Sequence, residues 1–316
     1  MIVVEREAAP TRGDQIIALF GHGLIGRSIT AALGKGGQAR IASLPFTWDD
    51  VEARARELHG IERRIVDRPA GHPRVARVDV IWAAGRSGFD ASGEQTAAEL
   101  KVFSEILSFA GRLQNSLPDA HCAFHLLSSA GGLYNGQRNV DRSSIPHATN
   151  PYGRAKLEQE SQLHFALPHT QRLIYRPASV YGFAGPGTRL GLVAALIHNS
   201  IRHQTSRIFG SPHTIRDYVL GLDVGKFIRD RLDDPERSPA TFLLVSGKPT
   251  TIFEILQTVG QVLGRRIYHR FENTPSNAAD ISFSQAALPR SFQPTDIETG
   301  IRLTARALMD IHVSPR

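Results

Sequence analysis

The segment Asn150-Pro151-Tyr152-Gly153-Arg154-Ala155-Lys156 sets a phenol and an ammonium four residues apart. On a helix that spacing puts both side chains on one face, about one turn apart. An ammonium beside a phenol favours the phenolate, so such a Tyr can exchange a proton near neutral pH. Pro151 suits the first turn of a helix and marks where that face begins. The chain has six Tyr and five Lys among 316 residues, so an ordinary helix with a solvated Lys would show the same spacing. The surrounding sequence has to decide.

A second constellation lies near the start. Gly21-His22-Gly23-Leu24-Ile25-Gly26 directly follows the apolar run Ile16–Phe20 and opens a helical pattern from Leu24 to Leu33. Glycines so placed permit a tight turn and a close backbone approach to a pyrophosphate, which then meets the N–H groups and positive dipole of the helix start. An acidic residue at the end of the second strand receives the 2′-hydroxyl of NAD. Here that strand ends Ile41-Ala42-Ser43-Leu44-Pro45, with no Asp or Glu before Asp49. Arg27, Arg40 and Ser43 could instead tolerate a 2′-phosphate, so NAD against NADP stays open. A third feature is Ser128-Ser129 at the end of the run Ala123–Leu127. Ligands of a parallel sheet bind beyond the carboxyl ends of its strands, which would aim both hydroxyls at the same crevice; a capping serine in a turn reads equally well.

The elements that must position these groups alternate along the chain. Apolar runs at Ile16–Phe20, Gln38–Leu44, Val78–Ala84, Ala123–Leu127 and Arg172–Arg176 are separated by helical patterns at Leu24–Leu33, Val51–Leu58, Gln95–Leu113 and after Pro151. This is the signature of an α/β chain with a doubly wound, all-parallel sheet of the Rossmann type and helices on both faces. After Gly182 the composition shifts to Gly, Pro and polar loops, with a further strand at Thr241–Val245 and helices at Thr251–Leu263 and Ile297–Met309. The expected division is a dinucleotide-binding domain over 15–182 plus about 219–246, and a smaller substrate-binding domain over 183–218 and 247–316.

Composition excludes several classes. Charged residues are 21% and hydrophobic residues 41%, ordinary for a globular chain. No apolar run is long enough to span a bilayer and the first residues lack a signal-like segment, so a cytoplasmic protein without a membrane partner is expected. The lone Cys122 suits a reducing compartment. The net charge of +7 rests on scattered Arg residues without a basic stripe; it speaks for anionic small molecules rather than nucleic acid. The 13 His are scattered, and His121 and His125 fall on a strand where a four-residue spacing makes no metal pair. No metal is expected.

Taken together, the chain resembles the extended short-chain dehydrogenase/reductase family, in particular its NAD-dependent sugar-nucleotide epimerases and dehydratases. The matching pieces stand in family order: Phe20–Gly26, Ala83-Ala84-Gly85, Ser128–Tyr134, Asn150–Lys156, Arg176-Pro177-Ala178-Ser179-Val180-Tyr181-Gly182, and Arg216-Asp217-Tyr218-Val219 with Asp223-Val224. The resemblance covers residues 16 to about 265. It implies that the dinucleotide, NAD with NADP still open, is held by Gly21, Gly23, Leu24, Ile25, Gly26, Ala83, Ala84, Gly85 and the Pro177–Ala178 backbone. Tyr152 would be the general base/acid and Lys156 would hold the nicotinamide ribose. Ser128 or Ser129 would bond the reacting oxygen, Ser179 would lie near the sugar, and Arg216 would bind the substrate diphosphate. The competing reading of Arg216 is a surface ion pair with Asp217 or Asp223.

The chain also departs from the family. Phe20 occupies the first glycine position of the turn. Ala130 stands where a hydroxyl is expected four residues before Tyr134, and Gly131-Gly132 stand where 4,6-dehydratases carry an Asp-Glu pair, which argues against dehydration. Ser179 stands where Asn is common. The expected function is thus a nucleotide-sugar epimerase working through a transient keto-sugar. Its alternatives are an NADP-dependent reductase or dehydrogenase, or a catalytically weak nucleotide-binding relative. The helices Gln95–Leu113 and Tyr152–Leu167 would suit the two-helix homodimer contact common in the family, or equally burial against the sheet.

Overall fold

The computed structural model describes residues 1–7, 13–35, 39–69, 71–85, 88, 91–234, 236, 238–272 and 279–313, with the side chains of the last helix described through residue 310. The alternating pattern builds a seven-stranded sheet. Its strands include β1 (Ile2–Glu7), β2 (Asp14–Phe20), β3 (Arg40–Ser43), β4 (Val75–Trp82), β5 (His121–Leu127) and β6 (Gln171–Pro177). Short strands follow in the second half: β7 (Ser179–Tyr181), β8 (Ser206–Phe209), β9 (Ile215–Arg216), β10 (Tyr218–Leu220), β11 (Ala240–Leu244), β12 (Thr250–Thr251) and β13 (His269–Glu272). The helices are α1 (Leu24–Gly34), α2 (Val51–Val66), α3 (Gly93–Ser116), α4 (Ala130–Leu133), α5 (Pro151–Ala166), α6 (Leu192–Ile201), α7 (Gly221–Asp233), α8 (Ile252–Leu263) and α9 (Ile297–Val313).

The large sheet runs β11-β6-β5-β4-β2-β1-β3. Its pairs from β2 to β11 are parallel, as the crossover helices require. The expected all-parallel sheet is corrected at one place. Ile2-Val3-Val4, a β-branched run that the sequence reading passes over, forms a strand antiparallel to β2 and to β3. Ile2 pairs with Leu19 on one side and with Ser43 on the other. The run Gln38–Leu44 therefore supplies β3, but one strand further out than expected, with β1 in between. Gln38 itself lies outside the described residues.

Strand alternation sends neighbouring residues to opposite faces. Ile17 and Leu19 of β2 join Ile29 and Leu33 of α1 and Val224, Phe227 and Ile228 of α7 in one core. Ile16, Ala18 and Phe20 join Leu58 and Ile61 of α2, Phe103, Ile106 and Leu113 of α3, and Leu163 of α5 in the other. Helix α7, also absent from the sequence reading, lies so close to α1 that a Cβ at Gly225 would sit 2.5 Å from the Ser28 backbone. A third apolar cluster gathers Val193 and Ile197 of α6, Ile255 and Val259 of α8, and Ile301 and Leu308 of α9 around Tyr181 and Tyr218. Helix starts follow local chemistry: Ser92 with Gln95 and Thr251 with Glu254 form capping boxes at α3 and α8. Among the described residues no helix is long and apolar enough to cross a membrane.

Candidate active site

The carboxyl ends of β2, β4, β5 and β6 converge on one edge, and the sequence-selected groups lie along it. Gly21, the first residue after β2, has φ +95 and abuts the Ala83–Ala84 backbone beyond β4; a Cβ there would strike it. Ala83 N–H donates to the Phe20 carbonyl at 2.8 Å, so the turn and this segment are one unit. A Cβ at Gly26 would collide with the Gly21 carbonyl oxygen. Gly23 differs. It is the N-cap of α1 without a side-chain cap, and a Cβ built on it meets nothing within 4 Å. Protein packing thus demands Gly21 and Gly26, whereas bareness at Gly23 keeps the uncapped N–H groups of α1 open to an approaching anion. The turn fits a dinucleotide pyrophosphate on that ground. Phe20, at the position of the family's first glycine, is fully buried against Phe46 and Phe109.

The three groups considered for a 2′-phosphate are not brought together. The Arg27 guanidinium donates to the His22 carbonyl at 3.2 Å and reaches across to the Ala184 carbonyl at 3.4 Å. Arg40 and Ser43 are opposite ends of β3, one strand away from β2. Burial, seconded by the Arg27 charge, pushes the His22 imidazole down and favours its neutral form.

Beyond β5 the chain enters α4 and later α5. Asn150 caps α5 by accepting the Gly153 N–H at 2.7 Å, with Pro151 in the first turn as the sequence predicts. Tyr152 and Lys156 share one face, the Lys156 Nζ lying 5.8 Å from the centroid of the Tyr152 ring. A Cβ at Gly132 would stand 3.0 Å from Tyr152 Cε1, and one at Gly153 would strike the Gly132 carbonyl. Gly132 therefore seats the phenol ring flush on α4. A side chain at Gly132 would have to push against the Tyr152 ring, a physical reason for the glycine found there.

The serines part ways. Ser128 is buried and its Oγ donates to Glu160 Oε1 at 2.5 Å. Ser129 Oγ accepts the Gly132 N–H at 3.0 Å as N-cap of α4, which leaves its hydroxyl proton as a donor. Ala130, in the family's hydroxyl position, is fully buried. The chain thus commits Ser128 to Glu160 and Ser129 to helix capping.

At the end of β6, Ala178 N–H donates to the Leu244 carbonyl at 3.0 Å and Ser179 N–H to the Asp217 carbonyl at 2.9 Å, holding the Pro177–Ser179 backbone beside β10 and β11. Arg216 is bound by backbone carbonyls. Its Nη1 donates to the Ile215 carbonyl at 3.0 Å and to the Ala279 carbonyl, and burial pushes the guanidinium down. Asp217 accepts the Ser246 and Gly247 N–H groups at 2.7 and 2.8 Å, and Asp223 accepts Thr295 N–H at 2.7 Å.

Several site residues escaped sequence reasoning. Lys156 Nζ donates to Gln159 Oε1 at 3.0 Å, the Leu127 carbonyl at 3.4 Å and Glu99 Oε1 at 3.5 Å. Glu160 holds Arg176 through two bonds, at 2.9 and 2.5 Å, and Arg176 reaches the Tyr134 hydroxyl at 2.8 Å. Burial opposes the Arg176 charge, but the Glu160 carboxylate outweighs it and holds the guanidinium up. A signal existed: Glu99 precedes Phe103, Ile106, Ala110 and Leu113 on one buried helical stripe, and a charge on such a stripe demands a partner. His125, set aside as a metal ligand, is fully buried between the Tyr175 hydroxyl at 2.9 Å and Asp79 at 3.0 Å.

Comparison with known proteins bears on the family and the fold. The family model described as NAD dependent epimerase/dehydratase family matches residues 17–243. A putative UDP-glucose 4-epimerase of Methanocaldococcus jannaschii is 26% identical over 147 residues, 45% of this chain, and the match spans only 47% of that curated relative. Among solved structures, a Thermus thermophilus UDP-glucose 4-epimerase in complex with NAD superposes with a TM-score of 0.74 at 18% identity, covering 93% of this chain and 98% of that one. The Thermotoga maritima UDP-glucose 4-epimerase with UDP-glucose gives 0.71 at 20% identity, covering 94% and 99%. RMD from Pseudomonas aeruginosa complexed with NADPH gives 0.67 at 19%, covering 95% and 100%. At these identities the likeness of the solved structures is one of fold.

Proposed function

The chain belongs to the NAD dependent epimerase/dehydratase family, and on that premise we propose that it epimerises a nucleotide sugar through a transient keto-sugar. The observation that carries this reading is the seat of Tyr152: its ring lies flush on Gly132, with Lys156 one turn along α5 and no acid where water elimination would need one. When bound, the dinucleotide supplies reversible removal and return of a hydride at the sugar carbon. Everything else falls to the chain. Gly21, Gly23, Leu24, Ile25 and Gly26 with Ala83–Gly85 hold the dinucleotide, and the Pro177–Ala178 backbone borders its nicotinamide end. Tyr152 Oη takes the proton of the sugar hydroxyl as that carbon is oxidised and gives it back after the keto-sugar has turned over. A placed acid/base of this kind is worth about 10²–10⁴-fold in rate. Ser129, with its hydroxyl proton available, bonds the reacting oxygen in place of the absent hydroxyl at Ala130. Arg216 meets the substrate diphosphate, where a guanidinium can hold oxygens in pairs, and Ser179 stands near the sugar.

The experiment is a panel of UDP-, GDP- and dTDP-sugars incubated with the protein and followed by NMR. Interconversion of two epimers without net consumption of cofactor is expected. A second reading, a reductase that releases its cofactor each turnover, draws on the strand end Ile41–Pro45, which carries no acid for the ribose 2′-hydroxyl of NAD. Stoichiometric oxidation of reduced cofactor by a sugar nucleotide would establish it and end the epimerase reading.

A further inference from the structure

Glu99 is a buried carboxylate that the proposed chemistry leaves unused. Its side chain, on α3, is 7% exposed and faces the equally buried Lys156 of α5. Gln159, fully buried, closes the group into a triangle: it accepts from Lys156 at 3.0 Å and donates to Glu99 Oε1 at 3.1 Å. The ammonium has three protons and three protein acceptors, of which Glu99, at 3.5 Å, is the most distant. On its other side Glu99 looks onto Gly85, at the carboxyl end of β4. A Cβ there would stand 3.2 Å from Oε1 and 3.4 Å from Oε2, so only a bare backbone separates the carboxylate from the cofactor edge. A buried charge is costly unless paired and hydrogen-bonded. An ammonium and a carboxylate held side by side beside a binding crevice set a donor next to an acceptor with lone pairs to spare. A vicinal diol, whose hydroxyls both give and take hydrogen bonds, is the complementary ligand.

We propose that Glu99 binds the dinucleotide: its carboxylate accepts a hydroxyl of the ribose next to the nicotinamide, while Lys156 donates to the neighbouring oxygen. This rests on the dinucleotide reading of the glycine turn and adds to it a carboxylate–ribose contact at the opposite end of the cofactor from the usual one.

The test compares three probes on nucleotide-free, full-length protein by calorimetric titration. ADP lacks the second ribose, ADP-ribose has it without the nicotinamide, and NAD⁺ has both. In Glu99→Ala the Kd for ADP-ribose and for NAD⁺ should rise by about tenfold to a hundredfold, the span of a hydrogen bond to a charged group. Glu99→Gln, which keeps an acceptor oxygen, should lose less, and ADP should bind both variants as it binds wild type. Equal weakening of ADP would show general damage and overturn the proposal. Weakening of NAD⁺ with ADP-ribose untouched would assign Glu99 to the nicotinamide charge and overturn it too, as would three unchanged affinities. If wild type binds none of the probes, the dinucleotide reading itself falls.

Discussion

The two ends of the crevice along the carboxyl edge of the sheet are built on different plans. At the β5–β6 end, Tyr152 is seated on Gly132, Lys156 is fixed by three acceptors, and Ser128, Glu160, Arg176 and Tyr134 form a continuous hydrogen-bonded chain behind them. At the β2 end the glycine turn is kept, but the strand beside it is an antiparallel arrival from the start of the chain, and the parallel strand expected there, β3, stands one place further out. The difference is one of sequence range. Proton-transfer geometry is set within one helix and the strand before it, whereas the choice of dinucleotide depends on which distant strand pairs with β2.

The largest effect should fall on the first end. Tyr152→Phe keeps the ring on Gly132 and removes only the hydroxyl, so turnover should drop by about 10²–10⁴-fold while dinucleotide affinity stays unchanged. Retained turnover would remove Tyr152 from its role, and lost affinity would mean the two ends are less separable than their construction implies.

A pair of substitutions next separates packing from binding in the glycine turn. Gly26→Ala drives a methyl group into the Gly21 carbonyl and should cost on the order of 3 kcal/mol of stability, read as a fall in urea midpoint. Gly23→Ala points its methyl into open space. It should cost no more than about 1 kcal/mol, the scale of an N-cap change, yet weaken dinucleotide binding clearly in titration. Equal loss of stability in both variants would make Gly23 a packing residue like its neighbours.

How much of this was legible depends on the reach of each signal. The turn at Gly21–Gly26, the cap at Asn150 and the Tyr152–Lys156 face rest on contacts within a few residues, and their spacings announced them. The parallel core followed from alternation of apolar runs and helices. What stayed hidden was non-local. Ile2-Val3-Val4 is too short to declare its partner, and nothing near Arg40–Ser43 indicates that it pairs with β1 rather than β2. Helix α7 hides because Gly221 and Gly225, read locally, argue against a helix, while in the structure they admit the close packing of α1. Ser128 and Ser129 could not be told apart from sequence, since the partner that claims Ser128, Glu160, lies 32 residues on.

A smaller effect concerns pH and again falls on one end. Asp217 bridges β9 and β10 to the Ser246–Gly247 turn, and burial, partly offset by the N–H groups it accepts, pushes its carboxyl up to about 6. A carboxyl raised in the fold above its ordinary value of 3.8 binds its proton more tightly folded than unfolded. Its contribution is therefore fully present below about pH 4 and is lost as pH rises through 6. Urea unfolding at pH 4 and pH 6.5 should show wild type losing roughly 2–3 kcal/mol more than Asp217→Asn across that interval. An identical pH dependence in the two proteins would show that this strut does not titrate, and that the β6 end is no more pH-sensitive than the β2 end.

The smallest expected difference tests the other end directly. A carboxylate beside β2 holds the 2′-hydroxyl of NAD and repels a 2′-phosphate. β1 and β3 bring none to that edge, where Ile2 pairs with Ser43 and Met1 and Leu44 exchange backbone hydrogen bonds; Glu57 of α2 accepts from Thr47 N and Oγ1. NAD⁺ and NADP⁺ should then bind within about tenfold of each other, a difference of no more than about 1.4 kcal/mol. Strong preference for NAD⁺ would mean that another acid serves the adenosine ribose and that both ends follow the family plan after all. Ser43→Asp sharpens the point. If the ribose reaches β3, the new carboxylate should turn the ratio toward NAD⁺; if β1 keeps it one strand away, the ratio should not move.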